Sequence, residues 1–446
     1  MKLTSLSAHT LAKIIRERLV SCEEVVTAYL QRISYYNPQL NAIITLDPEQ
    51  VDQQVKKADR ALAKGKCFGP LHGVPITIKD SLETKGLRTT CSYEPLANYI
   101  PRKDATVVAK LKAAGAIILG KTNTPKLTGD FQTNSPLFGR TNNPWNLDYT
   151  PGGSTGGGGS AIAAQLSVFD IGSDLGGSLR IPAHFCGIYT IKATEKRVST
   201  YGHIPELPGN PLTINHCQNV GYLGRSVEDL MLCFSVIKES NHQGLNEKIN
   251  SFSSLNSYGF VWSYGFGNIP CCSETKKAIK TVIDVLSELD YQLEYRNLSQ
   301  INMDEVWEIY RNILSYEFNP STPKDEQKNY MIALEKRQMI MNQLALFFQK
   351  VDIWLIPVVP FPAFPHFPFG NDIDIEGKSY PYFQAIGAYT TLFNLTGYPV
   401  VVIPLTLSSK GLPIGVQLVG NYGNDQKLLT IANQISSIIN PLPCPL

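Results

Sequence analysis

Apolar residues first recur at helical spacing in Val25, Val26, Tyr29, Leu30 and Ile33. Ser21 and Glu24 precede this run as S-x-x-E, a capping box that starts a helix. Helices are expected to dominate the first 65 residues. After Gly69 the pattern changes. Val74 to Ile78 is a short continuous apolar run, Ala105 to Ala114 has helical periodicity, and Ala116 to Leu119 is a second apolar run that reads as a buried strand. Between Asn134 and Gly177 the chain is rich in Gly, Ser, Thr and Asn, broken by a small-residue helix expected over 160–166. Beyond about residue 225, periodicity predicts helices near 226–238, 274–289, 303–317, 324–350 and 424–438. Strands are predicted near 258–262, 353–357, 399–403 and 414–419. This alternation argues for a mixed, mostly parallel sheet covered by helices on both faces. With no internal repeat and no linker, the expectation is a single large α/β domain over 1–446. Its parts are a helical segment (1–65), a glycine-rich core (66–225) and a remaining α/β portion (226–446) that carries variable pocket elements. Residues 240–350 hold no interpretable motif.

Composition narrows the function classes. The 446 residues are 43% hydrophobic and 17% charged, enough apolar surface for a deep core and too much for wholesale disorder. Lys and Arg number 40 against 38 Asp and Glu, so no global field draws in nucleic acid or an anionic membrane. Nine cysteines with one adjacent pair and no CxxC read as core thiols in a reducing compartment. The N-terminus places charges where an export signal needs an apolar stretch, so a cytoplasmic location is expected. Ile353 to Phe369 is the longest apolar stretch, but prolines at 357, 360, 362, 365 and 368 exclude a spanning helix. No HExxH, His/Cys cluster or carboxylate array suggests a metal, and no cofactor is expected.

Two short motifs tempt and fail. Gly115 to Thr122 fits the phosphate-loop pattern G-x-x-x-x-G-K-[ST]. Its interior, however, is Ile117, Ile118 and Leu119, strand formers that cannot turn successive amides toward an anion, and Thr124-Pro125 blocks the helix that should follow. Gly152 to Gly156 fits the nucleophile elbow G-x-S-x-G, yet no strand runs into Ser154. His72 and His184 could line a cleft but carry no signature of a general base.

A third constellation is far more specific. In Gly172 to Pro182, Ser178 follows two glycines that can turn the backbone, and the amides of Leu175, Gly176, Gly177 and Ser178 could converge on one anionic oxygen. Ser154 lies 24 positions earlier in its own glycine-rich turn. Upstream, Lys79 ends an apolar strand, placing an amine at the strand end where α/β sites form. Taken with GVPITIKD at 73–80, GKTNTP at 120–125, FGRTNNPWN at 138–146, TPGGSTGG at 150–157, GSDLGGSLRIPAHFCG at 172–187 and FNLTGYPVVVIPL at 393–405, the chain closely resembles the amidase signature family. The resemblance implies a triad of Ser178 as nucleophile, Ser154 as the serine after a cis peptide, and Lys79 as base. It also implies an oxyanion hole of the four amides named above. Thr155 could orient the relay, and Asp174 and Arg180 are expected as an ion pair holding the loop. The Cys186 to Thr194 segment lacks a glycine and a proline often found there in the family, which leaves the triad untouched.

Lys79 can act as a base only when neutral. An exposed lysine titrates at about 10.4, and burial lowers that by several units. Tyr93, Tyr99, Phe131, Phe138, Trp145 and Phe361 to Phe369 offer mostly uncharged surface, so the expected substrate is a small neutral aliphatic or aryl amide. Within the family the rival is the glutaminase subunit of the tRNA-dependent amidotransferase. From another class the rival is a catalytically silent binding scaffold. The expected partner is a small-molecule amide, with no nucleic acid bound directly and no membrane; a homodimer is compatible with all of this.

Overall fold

The computed structural model describes residues 2–210, 213–239, 258–296, 301–319, 323–439 and 441–446. Part of the stretch without motifs, 240–257, lies outside them. One eleven-stranded sheet organises the molecule. Across it the strands run in the order Ile43–Leu46, Ile117–Thr122, Pro75–Lys79, Asp170–Asp174, Asn219–Gly224, Tyr189–Lys192, Val400–Leu407, Pro413–Gly420, Ile353–Pro357, Phe260–Trp262 and Leu293–Tyr295. The sheet is mixed. Parallel pairing occupies two blocks, Ile117–Thr122 with Pro75–Lys79 and Asp170–Asp174, and Ile353–Pro357 with Phe260–Trp262 and Leu293–Tyr295. The six other neighbouring pairs are antiparallel, a larger share than the helix–strand alternation implied. The reason is local. Val400–Leu407 returns directly into Pro413–Gly420 as a hairpin, which needs no crossover helix.

Alternation along the strands divides the core in two. Ile353, Leu355, Val401, Ile403, Val416 and Leu418 pack with Ile279, Ile283, Leu428 and Ile431 of the helices Ser273–Glu288 and Asp425–Ser436. Trp354, Ile356, Val400, Val402 and Val419 pack instead with Ile181, Ile309, Ile313, Leu392 and Leu395 of the helices Arg180–Cys186, Met303–Phe318 and Thr391–Thr396. Successive strand side chains point to opposite faces, so a strand apolar at every position is covered on both. This is the single α/β domain with helices on both faces that the pattern predicts.

Several local expectations are met. Ser21 and Glu24 form a complete capping box on helix Cys22–Leu40. The phosphate-loop look-alike is strand Ile117–Thr122, and its Lys121 is fully buried, donating to the Leu82 carbonyl at 2.5 Å and to Thr89 Oγ1 at 2.8 Å. The small-residue helix spans Gly156–Ala163, starting four residues and ending three residues earlier than expected. Its glycines permit close backbone approach rather than flexibility. A Cβ on Gly158 would stand 2.0 Å from Asp170 Oδ2, a buried oxygen with no hydrogen-bond partner among the described residues. Gly158→Ala is therefore expected to lower stability by about 1–3 kcal/mol, measurable as a lower denaturant midpoint at unchanged m. Wild-type stability would refute the steric argument. All nine cysteines are free thiols, and no helix among the described residues is long and apolar enough to cross a membrane.

Candidate functional site

Strand Pro75–Lys79 ends in the middle of the parallel block and is buried at every position, so it delivers the Lys79 amine into the protein at 0% exposure. Nζ has three oxygen neighbours: Ser154 Oγ at 2.6 Å, Ser173 Oγ at 3.0 Å and Thr155 Oγ1 at 3.1 Å. Burial drives its pKa down from the ordinary lysine value to about 7, against the opposing pull of Cys91, Asp170 and Asp174. Thr155 spends its own hydroxyl proton on the Ser173 carbonyl at 3.2 Å, so its oxygen must accept from Nζ. A neutral amine has two N–H groups and one lone pair. Three neighbours can fill these three directions, with the shortest contact, that to Ser154, available for the lone pair. The Gly153–Ser154 peptide is cis, as the family resemblance implied.

Ser178 follows strand Asp170–Asp174 and is 6% exposed. Its loop is joined to the Ser154 turn by the Thr155 amide, which donates to the Ser178 carbonyl at 3.1 Å. The Ser178 hydroxyl has no hydrogen-bond partner among the described residues, Ser154 included. Gly177 adopts φ +132°, a backbone region closed to residues with a side chain.

The expected four-amide oxyanion hole needs one correction. The Gly177 amide donates to Asp174 Oδ1 at 2.8 Å and is thus already committed. The amides of Leu175, Gly176 and Ser178 have no acceptor among the described residues. Their directions are fixed through the opposite ends of the same planar peptides. Opposite the Leu175 amide the Asp174 carbonyl accepts from Asn394 Nδ2 at 3.0 Å, opposite the Gly176 amide the Leu175 carbonyl accepts from the Tyr310 hydroxyl at 2.9 Å, and opposite the Ser178 amide the Gly177 carbonyl accepts from the Ile181 amide at 2.8 Å. The Gly176 carbonyl, on the peptide of the committed Gly177 amide, accepts from Thr390 Oγ1 at 2.6 Å.

Asp174 and Arg180 form the expected ion pair at 2.9 Å, both side chains fully buried. The carboxylate also accepts from the amides of Gly177 and Leu179. Its pKa lies well below the usual carboxylate range: burial alone would raise it, and the Arg180 guanidinium with the hydrogen bonds from Arg180 and Asn394 outweighs that. Arg180 donates onward to the Thr390 carbonyl at 3.0 Å, to Gln417 Oε1 at 3.1 Å and to Asn394 Oδ1 at 2.5 Å.

The structure thus brings together Lys79, Ser154, Thr155, Asp174, Leu175, Gly176, Gly177, Ser178 and Arg180. Sequence reasoning missed Ser173, Tyr310, Thr390, Asn394 and Gln417. Ser173 was within reach of it, standing beside Asp174 in the quoted segment; the others come from remote elements. His72 and His184 are satisfied core residues: His72 accepts from the Phe68 amide, and His184 lies between the Phe361 carbonyl and the Gly415 amide. Of the candidate pocket aromatics, Phe131 approaches the nucleophile loop, since a Cβ on Gly176 would be 3.5 Å from its Cζ. Tyr93 meets Lys126, Tyr99 meets Glu83, Phe138 meets Arg88, and Trp145 donates to the Cys186 carbonyl.

Known proteins resemble the chain over nearly its whole length. A family model described as amidase matches residues 24–323 and 319–429. The chain is similar to the A-type subunit of the glutamyl-tRNA(Gln) amidotransferase of Carboxydothermus hydrogenoformans, at 32% identity with 97% of each chain covered. It is also similar to the corresponding protein of Bdellovibrio bacteriovorus, at 29% identity over 97% of this chain and 96% of that one. Among solved structures, a crystal structure of an amidase superposes with a TM-score of 0.83 at 25% identity, covering 98% of this chain and 100% of the other. On the matched length and the shared fold, the chain belongs to the amidase-signature family of amidohydrolases.

Proposed function

We propose that the chain cleaves a carboxylic amide through an acyl-enzyme on Ser178, with Ser154 and Lys79 as its proton relay. The observation that carries this reading is the fully buried Lys79 amine, 2.6 Å from Ser154 Oγ and titrating near 7. Once substrate brings the Ser178 hydroxyl onto Ser154, Lys79 takes the Ser154 proton while Ser154 takes that of Ser178, and Ser178 Oγ bonds to the carbonyl carbon. Negative charge grows on the carbonyl oxygen, toward which the amides of Leu175, Gly176 and Ser178 can donate. The relay run backwards protonates the nitrogen, the C–N bond breaks, and water repeats the sequence to release the acid. Mass spectrometry after reaction with a serine-directed fluorophosphonate tests this. The expected adduct is on Ser178, and Ser154→Ala slows its formation. An unlabelled Ser178 would restore the silent-scaffold reading.

For the acyl group, the relatives favour the glutamine reading over the small neutral amides suggested by the aromatic content. Curated relatives matching nearly the whole chain are named as subunits of the glutamyl-tRNA(Gln) amidotransferase. Ammonia release from glutamine, compared with a panel of neutral aliphatic and aryl amides, separates the two readings. Co-purification with other subunits would add to the first, and clear preference for the neutral panel would return the second.

A further inference from the structure

Asp130 precedes Phe131 in the loop that packs under the Ser154 turn. A Cβ on Gly153 would meet the Asp130 carbonyl oxygen at 2.7 Å. The Asp130 carboxylate is partly buried, and burial raises its pKa. Oδ1 accepts from the Tyr382 hydroxyl at 2.5 Å and from the Gln132 amide at 3.1 Å. Both donors are neutral. Among the described residues no lysine or arginine forms an ion pair with Asp130, whereas Asp174, the other carboxylate beside the nucleophile loop, has Arg180.

The Tyr382 ring that donates to Asp130 belongs to a cluster with Phe131, Phe369 and Phe383. Phe131 lies 6.4 Å from Tyr382 and 5.6 Å from Phe383, centroid to centroid. Phe369 lies 5.8 Å from Tyr382 and 5.7 Å from Phe383. Phe369 and Phe383 are 60% and 41% exposed, so this cluster runs from solvent to the ring that touches the nucleophile loop. Ring faces attract cations, and a carboxylate beside them supplies the charge that fixes a cation's position. No cationic side chain lies over any of the four rings among the described residues.

We propose that Asp130 with Phe131, Phe369, Tyr382 and Phe383 is a cation-recognition subsite, and that the preferred substrate is an amide whose acyl group carries a protonated amine. The proposal rests on Ser178 as the nucleophile. It covers the ammonium of glutamine and extends to amino-alkyl amides without a carboxylate.

The test is a matched substrate series. 4-Aminobutanamide and pentanamide differ by an ammonium for a methyl group, and glutamine differs from its des-amino analogue by an ammonium for a hydrogen. In the wild-type enzyme the amino member of at least one pair is expected to show about tenfold or higher kcat/KM, and Asp130→Asn is expected to lower that ratio by a similar factor. Labelling of Ser178 by an uncharged fluorophosphonate reports the competent fraction of each protein, so misfolding of the variant cannot imitate lost selectivity. Equal or better turnover of the des-amino member in both pairs overturns the subsite in the wild type alone. A ratio preserved in Asp130→Asn overturns the role of the carboxylate. Failure of Ser178 to label defeats the acyl-enzyme reading instead, and so stays distinguishable.

Discussion

Lys79→Met is expected to lower kcat by about a hundredfold to ten-thousandfold, the range that one placed general base supplies. Methionine keeps much of the length and apolar volume of the lysine stem, so the buried site stays filled while the amine is lost. KM should move much less, since Lys79 meets the serines and Thr155 rather than solvent. Turnover by the wild type should follow the deprotonated amine, rising with pH through about 7 and failing below it. The sign follows from the direction of the shift: burial favours the neutral form, and acid restores the ammonium, which has no lone pair for Ser154. Asp170, itself raised by burial to about 7, pulls the other way by favouring the ammonium. Asp170→Asn should therefore move the acid limb to lower pH. The two groups interact, so the measured midpoint belongs to both. A flat profile between pH 6 and 9, or near-wild-type kcat in Lys79→Met, would remove Lys79 from the mechanism.

Arg180→Met should be the most destabilising single change near the site, at about 3–5 kcal/mol, because it leaves the Asp174 carboxylate charged and fully buried. Four acceptors each lose a donor together: the Asp174 carboxylate, the Thr390 carbonyl, Gln417 and Asn394. Replacing both partners, Asp174→Leu with Arg180→Met, should recover little. Asp174 also holds the amides of Gly177 and Leu179, and an apolar pair would orphan them. Urea unfolding of the single and double variants measures this directly. A loss below about 1 kcal/mol in the single variant would show that the pair contributes no more than a surface bridge.

Much of this site was legible in the residues because its demands are local. A lysine at the end of an apolar strand is drawn at least partly into the interior, and serines beside glycine pairs favour tight turns. The interior of the phosphate-loop look-alike was legible for the same reason, three strand formers being unable to line an anion loop. What stayed hidden depends on long-range placement. The Gly177 amide looked like a free donor because nothing nearby in sequence says that Asp174 folds back onto it. Tyr310 lies 135 positions from Leu175, and Thr390 and Asn394 more than 200 from the loop they hold. A polar residue on an otherwise apolar helix gives no local sign of its partner. The share of antiparallel pairing was missed because helices and strands can alternate in sequence without neighbouring in the sheet in the same order.

The distant anchors of Arg180 have a consequence for biosynthesis. A growing polypeptide that has cleared the ribosome only as far as about residue 385 already contains the lysine and both serines of the relay. It still lacks the threonine, asparagine and glutamine that receive the guanidinium, and the hairpin that continues the sheet beside them. Hydrolytic competence should switch on only after synthesis has passed Gln417, so shorter nascent copies would not attack amides in their surroundings.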